Sequence, residues 1–215
     1  MVTDRLCAAG GETIATTGNE IRDSVVREEP DATLVARIKS GDVGAFGELV
    51  QRHQRAVYGI VSRMVSDRDD VDDVVQEVFV QAFKSVTGFK GEATFGTWVY
   101  RIAVNTTIKH MRKAKIRRAA SIDDPLTGLA DSLVASNGVG PEDAAEKLER
   151  DAAVRKAVET LSKNHRAVVV LHYFESFSCD DIAKITGCSV GTVWSRLHYA
   201  CRKLKGQLAW LGNEL

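Results

Sequence analysis

The stretch "SFSCDDIAKITGCSVGTVWSRLHYACRKLK", residues 176–205, sets the fold class. Ser178 can cap a short helix whose first turn holds Asp180 and Asp181, where carboxylates meet the positive end of the helix dipole. "TGCS" then supplies a tight turn, with Gly187 available for a positive φ, and Ser189 caps a second helix. Two capped helices joined by such a turn have the anatomy of a helix-turn-helix. On the second helix Val190, Val193, Leu197, Cys201 and Leu204 fall on one buried stripe, with Ala200 at its margin. Thr192, Ser195, Arg196, Tyr199 and Lys203 face away. Hydroxyls, an arginine and a tyrosine on the early turns suit a DNA major groove; the alternative is the solvated last helix of a plain bundle. Trp194 and His198 lie nearer the stripe's edge and fit packing or DNA contact equally.

Upstream, "LSKNHRAVVVLHYFES" reads as another short helix, about 164–174. Before it, Pro141 suits the first turn of a helix running through "EDAAEKLERDAAVRKAVETL". The segment from Ala119 to Asp143 carries five acids and no Lys or Arg, is rich in Ser, Gly and Asn, and has no sustained periodicity; it reads as a linker. In the other half, "DATLVARIKSGDVGAFGELVQRHQRAVYGIVSRMV" keeps a helical spacing through Leu34, Ile38, Phe46, Val50, Val57 and Ile60. A second helix follows from about Asp69 to Ser85, then a Gly-studded loop, "VTGFKGEATFG". No strand-like alternation and no internal repeat interrupts this pattern. The expected fold is therefore all-α: two small helical domains, 31–118 and 142–212, joined by a flexible acidic linker over 119–141. A polar tail, 1–30, precedes them and is expected to be disordered.

The loop leads into "TWVYRIAVNTTIKHMRKAKIRR", residues 97–118. Its end, Lys109 to Arg118, packs six Lys/Arg into ten residues in a chain whose 29 basic and 29 acidic residues balance. With Trp98 at zero on an ideal helix, Asn105, Lys109 and Arg112 fall within about 40 degrees of it and Arg101 within about 60. Tyr100, Ala103, Val104, Thr107 and Met111 cluster opposite, so the core stripe excludes the tryptophan. A solvated face with one stray aromatic is the bland reading. The functional reading is nucleic acid: cations neutralise phosphates, an amide reads a base edge and an indole stacks on bases.

A third feature is the acidic helix "DRDDVDDVVQEVFVQAFKS". Val71, Val74, Val75, Val78 and Ala82 form its buried side, flanked by Phe79. Asp73, Gln76 and Glu77 form the polar side with Val80 in their midst. This is an ordinary surface helix, or carboxylates rimming a small apolar contact for a basic partner.

Other classes find little support. With 44% hydrophobic and 27% charged residues the chain reads as soluble and globular, and no apolar run reaches membrane-spanning length. The N-terminal stretch does not read as a secretory signal. Cys7, Cys179, Cys188 and Cys201 form no CxxC pair, which suits reduced cytoplasmic thiols. His172, Cys179, Cys188 and Cys201 lack common zinc spacings, so no metal and no cofactor is expected. No nucleophile–base arrangement or phosphate-cradling loop suggests an enzyme or a small-molecule substrate.

Taken in order, three segments resemble the extracytoplasmic-function (ECF) group of the sigma-70 family, promoter-specificity subunits of bacterial RNA polymerase. "DVVQEVFVQAF" is similar to the family's core-binding helix. "FKGEATFGTWVYRIAVNT" is similar to its DNA-melting and minus-ten segment, and "LSKNHRAVVVLHYFESFSCDDIAKITGCSVGTVWSRL" to its minus-thirty-five helix-turn-helix. The resemblance implies a cytoplasmic alternative sigma factor. Asp73, Gln76, Glu77 and Val80 would then dock on the clamp helices of the largest polymerase subunit, and the second domain on the flap of the other large subunit. The loop Phe89 to Thr94 would receive a flipped base of the minus-ten element. Asn105 would stand at that base-reading site, with Trp98, Arg101, Lys109 and Arg112 on the bubble edge and backbone. Thr192, Trp194, Ser195, Arg196 and Tyr199 would meet the minus-thirty-five element. It further implies promoter DNA, core RNA polymerase and an anti-sigma factor as partners. The chain departs from the family where arginines are common: it has Trp194, Tyr199 and Cys201 there, so the usual minus-thirty-five preference does not carry over. A stand-alone helix-turn-helix regulator is the alternative; a pure interaction adaptor would leave the basic face and the helix pair unused.

Overall fold

The computed structural model describes residues 29–120 and 141–209. Residues 1–28 and 121–140, where the tail and most of the linker were expected, lie outside the described residues. Helices and turns make up the described residues, with no strand among them.

The helical spacing read through Leu34 to Ile60 is carried by two helices rather than one. The first, α1 (Asp31–Lys39), buries Leu34, Val35 and Ile38. Gly41 then takes a φ of 105°, which side chains other than glycine's resist. Arg37 donates from Nε and Nη2 to Oδ2 of Asp42 at 2.9 and 2.6 Å, closing the turn. Helix α2 (Ala45–Met64) resumes and buries Phe46, Leu49, Val57, Ile60, Val61 and Met64. The periodicity survives the turn because both helices present their stripes to the same core; the break is a local glycine decision.

Helix α3 (Asp69–Ser85) has the bounds expected from its acidic first turn and its buried Val71, Val74, Val78 and Ala82. A short 3-10 turn (Val86–Gly88) leads through the loop to α4 (Phe95–Ala120). These helices enclose a core in which Leu34, Leu49, Val57, Val61, Val78, Ala82 and Val99 are fully or almost fully buried.

Beyond the undescribed segment, α5 starts at Pro141, where the missing N–H costs nothing, and runs to Glu159. Helix α6 (Lys163–Val169) is capped by Ser162 and passes into a π-helical turn, Val170–Phe174. Ser176 follows at φ 58°, and the Phe177 amide reaches back to the Leu171 carbonyl at 2.9 Å. Helix α7 (Cys179–Thr186) and helix α8 (Val190–Leu208) are the last helices among the described residues.

One feature of the arrangement was not legible in the pattern. The second core is shared: Ile60 and Met64 of α2 and Val104 of α4 are buried together with Val158, Leu161, Val168, Leu171, Ile182, Val193 and Leu197 of the second half. The two halves therefore pack on each other, α4 against α7 and α2 against α6 and the π turn.

Candidate nucleic-acid interface

Helix α4 begins at a polar cap. The Thr94 hydroxyl accepts from the Thr97 amide at 3.1 Å, satisfying one of the orphan N–H groups of the first turn. That start swings three rings together: Phe89–Trp98 centroids lie 5.2 Å apart, Phe95–Trp98 5.5 Å and Phe89–Phe95 6.2 Å. Phe95 is buried beneath, while Phe89 and Trp98 are half-buried and form the loop's inner wall. The sequence pattern set Trp98 off the core stripe; in the structure it packs on the edge of the core, because its two phenylalanine neighbours build that edge outward. Lys39 of α1 pins the loop by donating to the Phe89 carbonyl at 2.6 Å. Gly88 and residues 90–94 stay exposed above it.

Asn105, Lys109 and Arg112 are exposed further along α4, as its phase predicts, with Ala103, Val104, Thr106 and Thr107 buried on the other side. Arg101 is also at the surface, yet it has a partner. Its Nε donates to the Lys184 carbonyl of α7 at 3.0 Å, and Nη2 donates to the same oxygen. The basic face, the amide and the aromatic wall thus lie on one helix and its leading loop. That arrangement can hold a phosphate chain and receive an unstacked base.

The second expected contact surface rests on three capping events. Ser178 accepts from the Asp181 amide at 3.1 Å, and Gly187 ends α7 in the left-handed region at φ 66°. Ser189 accepts from the Thr192 amide at 3.2 Å. Val193, Leu197 and Ala200 are buried, whereas Val190, Cys201 and Leu204 are only half-buried. Ala200 therefore takes the inner position expected of Cys201. The small side chain sits closest to the neighbouring helices, and the Cys201 thiol lies 3.2 Å from the Tyr173 hydroxyl at the margin.

Trp194, 60% exposed, and Tyr199, 49%, project from α8. Thr192 and Ser195 are less free than their phase suggested: the Thr192 hydroxyl pairs with Ser189 at 2.9 Å and Ser195 donates to the Thr192 carbonyl at 3.0 Å. Arg196 leans back on the turn, 3.6 Å from the Cys188 sulfur. His165 of α6 also belongs to this face, stacking on Tyr199 at 4.8 Å. Burial, then the charges of Arg196 and Lys203, hold its imidazole below the ordinary histidine range. The sequence pattern missed His165 because it belongs to another helix.

On α3 the exposed row is Asp73, Gln76, Glu77 and Val80. Gln81 donates to Glu77 at 2.9 Å and accepts from Thr106 of α4 at 3.1 Å, which fixes the row against α4. Phe83, 41% exposed, extends the apolar spot of Val80 (44%) by one turn. It packs edge-on against Phe46 at 5.1 Å. Its spacing of three from Val80 was the available signal.

Comparison with known proteins gives two family matches. Residues 49–117 match sigma-70 region 2, and residues 151–204 match sigma-70 region 4. The chain is 37% identical over 182 residues to the ECF RNA polymerase sigma-E factor of Haemophilus influenzae, covering 83% of this chain and 95% of that one. It is 34% identical over 179 residues to the RNA polymerase sigma-H factor of Pseudomonas aeruginosa, covering 82% and 92%. Among solved structures, CnrH in complex with the cytosolic domain of CnrY is similar with a TM-score of 0.59 and 28% identity, over 84% of this chain and 98% of that one.

Proposed function

This chain belongs to the ECF group of the sigma-70 family, and on that premise we propose how its surfaces divide the work of an alternative sigma factor. It binds core RNA polymerase, recognises promoter DNA and helps open it. The α3 row of Asp73, Gln76, Glu77 and Val80 docks on the polymerase clamp helices, a carboxylate rim around an apolar spot. The loop from Phe89 to Thr94 receives a base extruded from the minus-ten element. Flipping costs a few kcal/mol, offset by stacking on the aromatic wall and by Arg101, Lys109 and Arg112 on the backbone. Asn105 supplies the base-edge hydrogen bonds. The α7–α8 helix-turn-helix meets the minus-thirty-five element through Thr192, Trp194, Ser195, Arg196 and Tyr199. The acidic stretch 119–141 joins the two units along the polymerase interior.

The observation that carries this reading is the pairing, in one chain, of a single-strand-type aromatic loop with a duplex-type helix pair. A stand-alone helix-turn-helix regulator has no use for the first of these. Catalysis belongs to polymerase, so the chain works as a cytoplasmic, non-enzymatic factor. No described helix is long and apolar enough to cross a membrane. An anti-sigma factor covering the polymerase-binding faces is the expected inhibitor; the solved structure of CnrH, which holds a partner's cytosolic domain, supports that mode.

The test is a pull-down of bacterial core RNA polymerase with the purified chain, followed by run-off transcription on a genomic promoter library. Stoichiometric binding with new, specific start sites is expected. Absence of binding, with tight duplex binding by the chain alone, would overturn the reading in favour of the regulator.

A further inference from the structure

We infer that Trp194 reads a thymine in the minus-thirty-five element, through the base's 5-methyl group and O4, and that guanine contributes little to what α8 recognises. The inference deepens the assignment of α8 to that element and rests on it.

The early turns of α8 hold few groups free to read a base. Arg196 is the only Lys or Arg between Val190 and Ala200. It is half-buried and donates from Nη1 toward the Cys188 sulfur at 3.6 Å, so it does not stand out as a two-pronged fork. Ser195 has one hydroxyl proton, and that proton goes to the Thr192 carbonyl at 3.0 Å. The Thr192 hydroxyl is engaged with Ser189 in the helix cap at 2.9 Å. Further along, Lys203 donates to the Thr160 carbonyl at 2.7 Å, and the Arg202 guanidinium lies 5.6 Å from the centre of the Tyr199 ring. Tyr199 also has His165 against it.

Trp194 is different. Its indole is exposed and has no ring neighbour or hydrogen-bond partner among the described residues. Gly191, one turn before it, and His198, one turn after, are exposed on the same ridge. A Cβ at Gly191 would meet only the Ser189 hydroxyl, at 3.9 Å, so no packing among the described residues requires that position to be empty. The gap lets a duplex come close beside the indole.

An indole presents a broad apolar face and a single N–H donor, with no acceptor. In the major groove adenine and cytosine expose amino donors that it cannot accept. Guanine exposes two acceptors, of which it can satisfy one. Thymine exposes a methyl group beside the O4 acceptor. That pair matches the indole on both counts: the methyl leaves water against the ring, and Nε1 donates to O4.

The test uses the full chain bound to core RNA polymerase. Transcripts from a template library randomised across both promoter elements are sequenced to find the preferred minus-thirty-five bases. On the best template each minus-thirty-five thymine is then replaced in turn by deoxyuridine, which removes the methyl alone. One such replacement should lower the parent's transcript yield about fourfold, the effect of one buried methyl. Trp194→Ala should melt like the parent, because the ring packs on nothing, and its yield should be indifferent to that replacement. Trp194→Arg should move the preference at that base pair to guanine. If no thymine responds to deoxyuridine, or if the pair that depends on Trp194 is a guanine, the inference is overturned. A deoxyuridine loss that persists in Trp194→Ala reports duplex shape rather than contact, and overturns it as well. Scrambling the whole minus-thirty-five region separates this from the underlying assignment. If the parent's yield then stays the same, α8 does not read that element and both statements fall. If it drops while every deoxyuridine template performs like the original, only the thymine contact falls.

Discussion

Asn105 stands exposed on α4, one turn beyond Arg101, with both ends of its amide available to a base edge. A bidentate amide contact contributes about 1–3 kcal/mol of discrimination, so Asn105→Ala should lower open-complex formation roughly tenfold or more while core-polymerase affinity stays at the parent level. Permanganate footprinting beside a polymerase pull-down checks both halves of that statement. Arg166 makes a different residue-scale case. Its buried guanidinium has two carbonyl acceptors, and its buried Nε has no partner among the described residues; burial draws its pKa below the usual arginine value. Arg166→Met removes a costly buried cation but strands the Met64 and Glu159 carbonyls, each a loss of about 1–3 kcal/mol. A lower melting temperature is expected, and an unchanged or higher one would show that the cation's burial outweighed its bonds. Nothing around Arg166 in the sequence marks it; the short helix read over about 164–174 gave it no role.

At the scale of elements, the α7–α8 turn depends on Gly187 at φ 66°. Gly187→Ala should destabilise the chain by about 1–2 kcal/mol, from the left-handed penalty on a residue with a Cβ, and should weaken minus-thirty-five binding in step. Both follow from thermal melts and duplex-binding titrations. Helix α3 offers the opposite test, function without stability. Glu77 is exposed, with Gln81 as its side-chain partner among the described residues; Glu77→Arg should leave the stability within about 0.5 kcal/mol of the parent. Its core-polymerase affinity should fall about tenfold or more, and unchanged affinity would contradict the docking assignment. These elements were legible because each carries its signals within a few residues. Ser178, Gly187 and Ser189 are spaced as caps require, and the α3 stripe repeats at helical spacing. The break between α1 and α2 was less legible, since Gly41 interrupts the backbone without interrupting the periodicity.

For the whole molecule, the seam between the halves has a pH signature. Burial raises the Glu175 carboxyl above the ordinary glutamate value, against the opposing pull of Arg63 and Arg55. Tyr100 of α4 senses the same carboxylate, its own pKa pushed up mainly by burial. The folded chain thus binds the Glu175 proton more tightly than an unfolded chain with an ordinary glutamate. This contribution to folding stability is fully present below the ordinary glutamate value and is lost as pH rises from there through the raised value, then levels off. Thermal melts across that window should show stability falling gradually with rising pH, and Glu175→Gln should abolish this component. The sequence by itself determined the all-helical class, the bounds of α3, the caps of the α7–α8 pair and the basic phase of α4. Those are set by local backbone preferences and by a 3.6-residue repeat that each helical window displays on its own. Only the tertiary structure decided that Trp98 joins a three-ring wall, that His165 lies on Tyr199, and that Arg166, Arg101 and Arg63 bind the halves together. Such contacts join residues as many as 112 positions apart; they depend on which helix ends meet, and periodicity along a chain does not encode that.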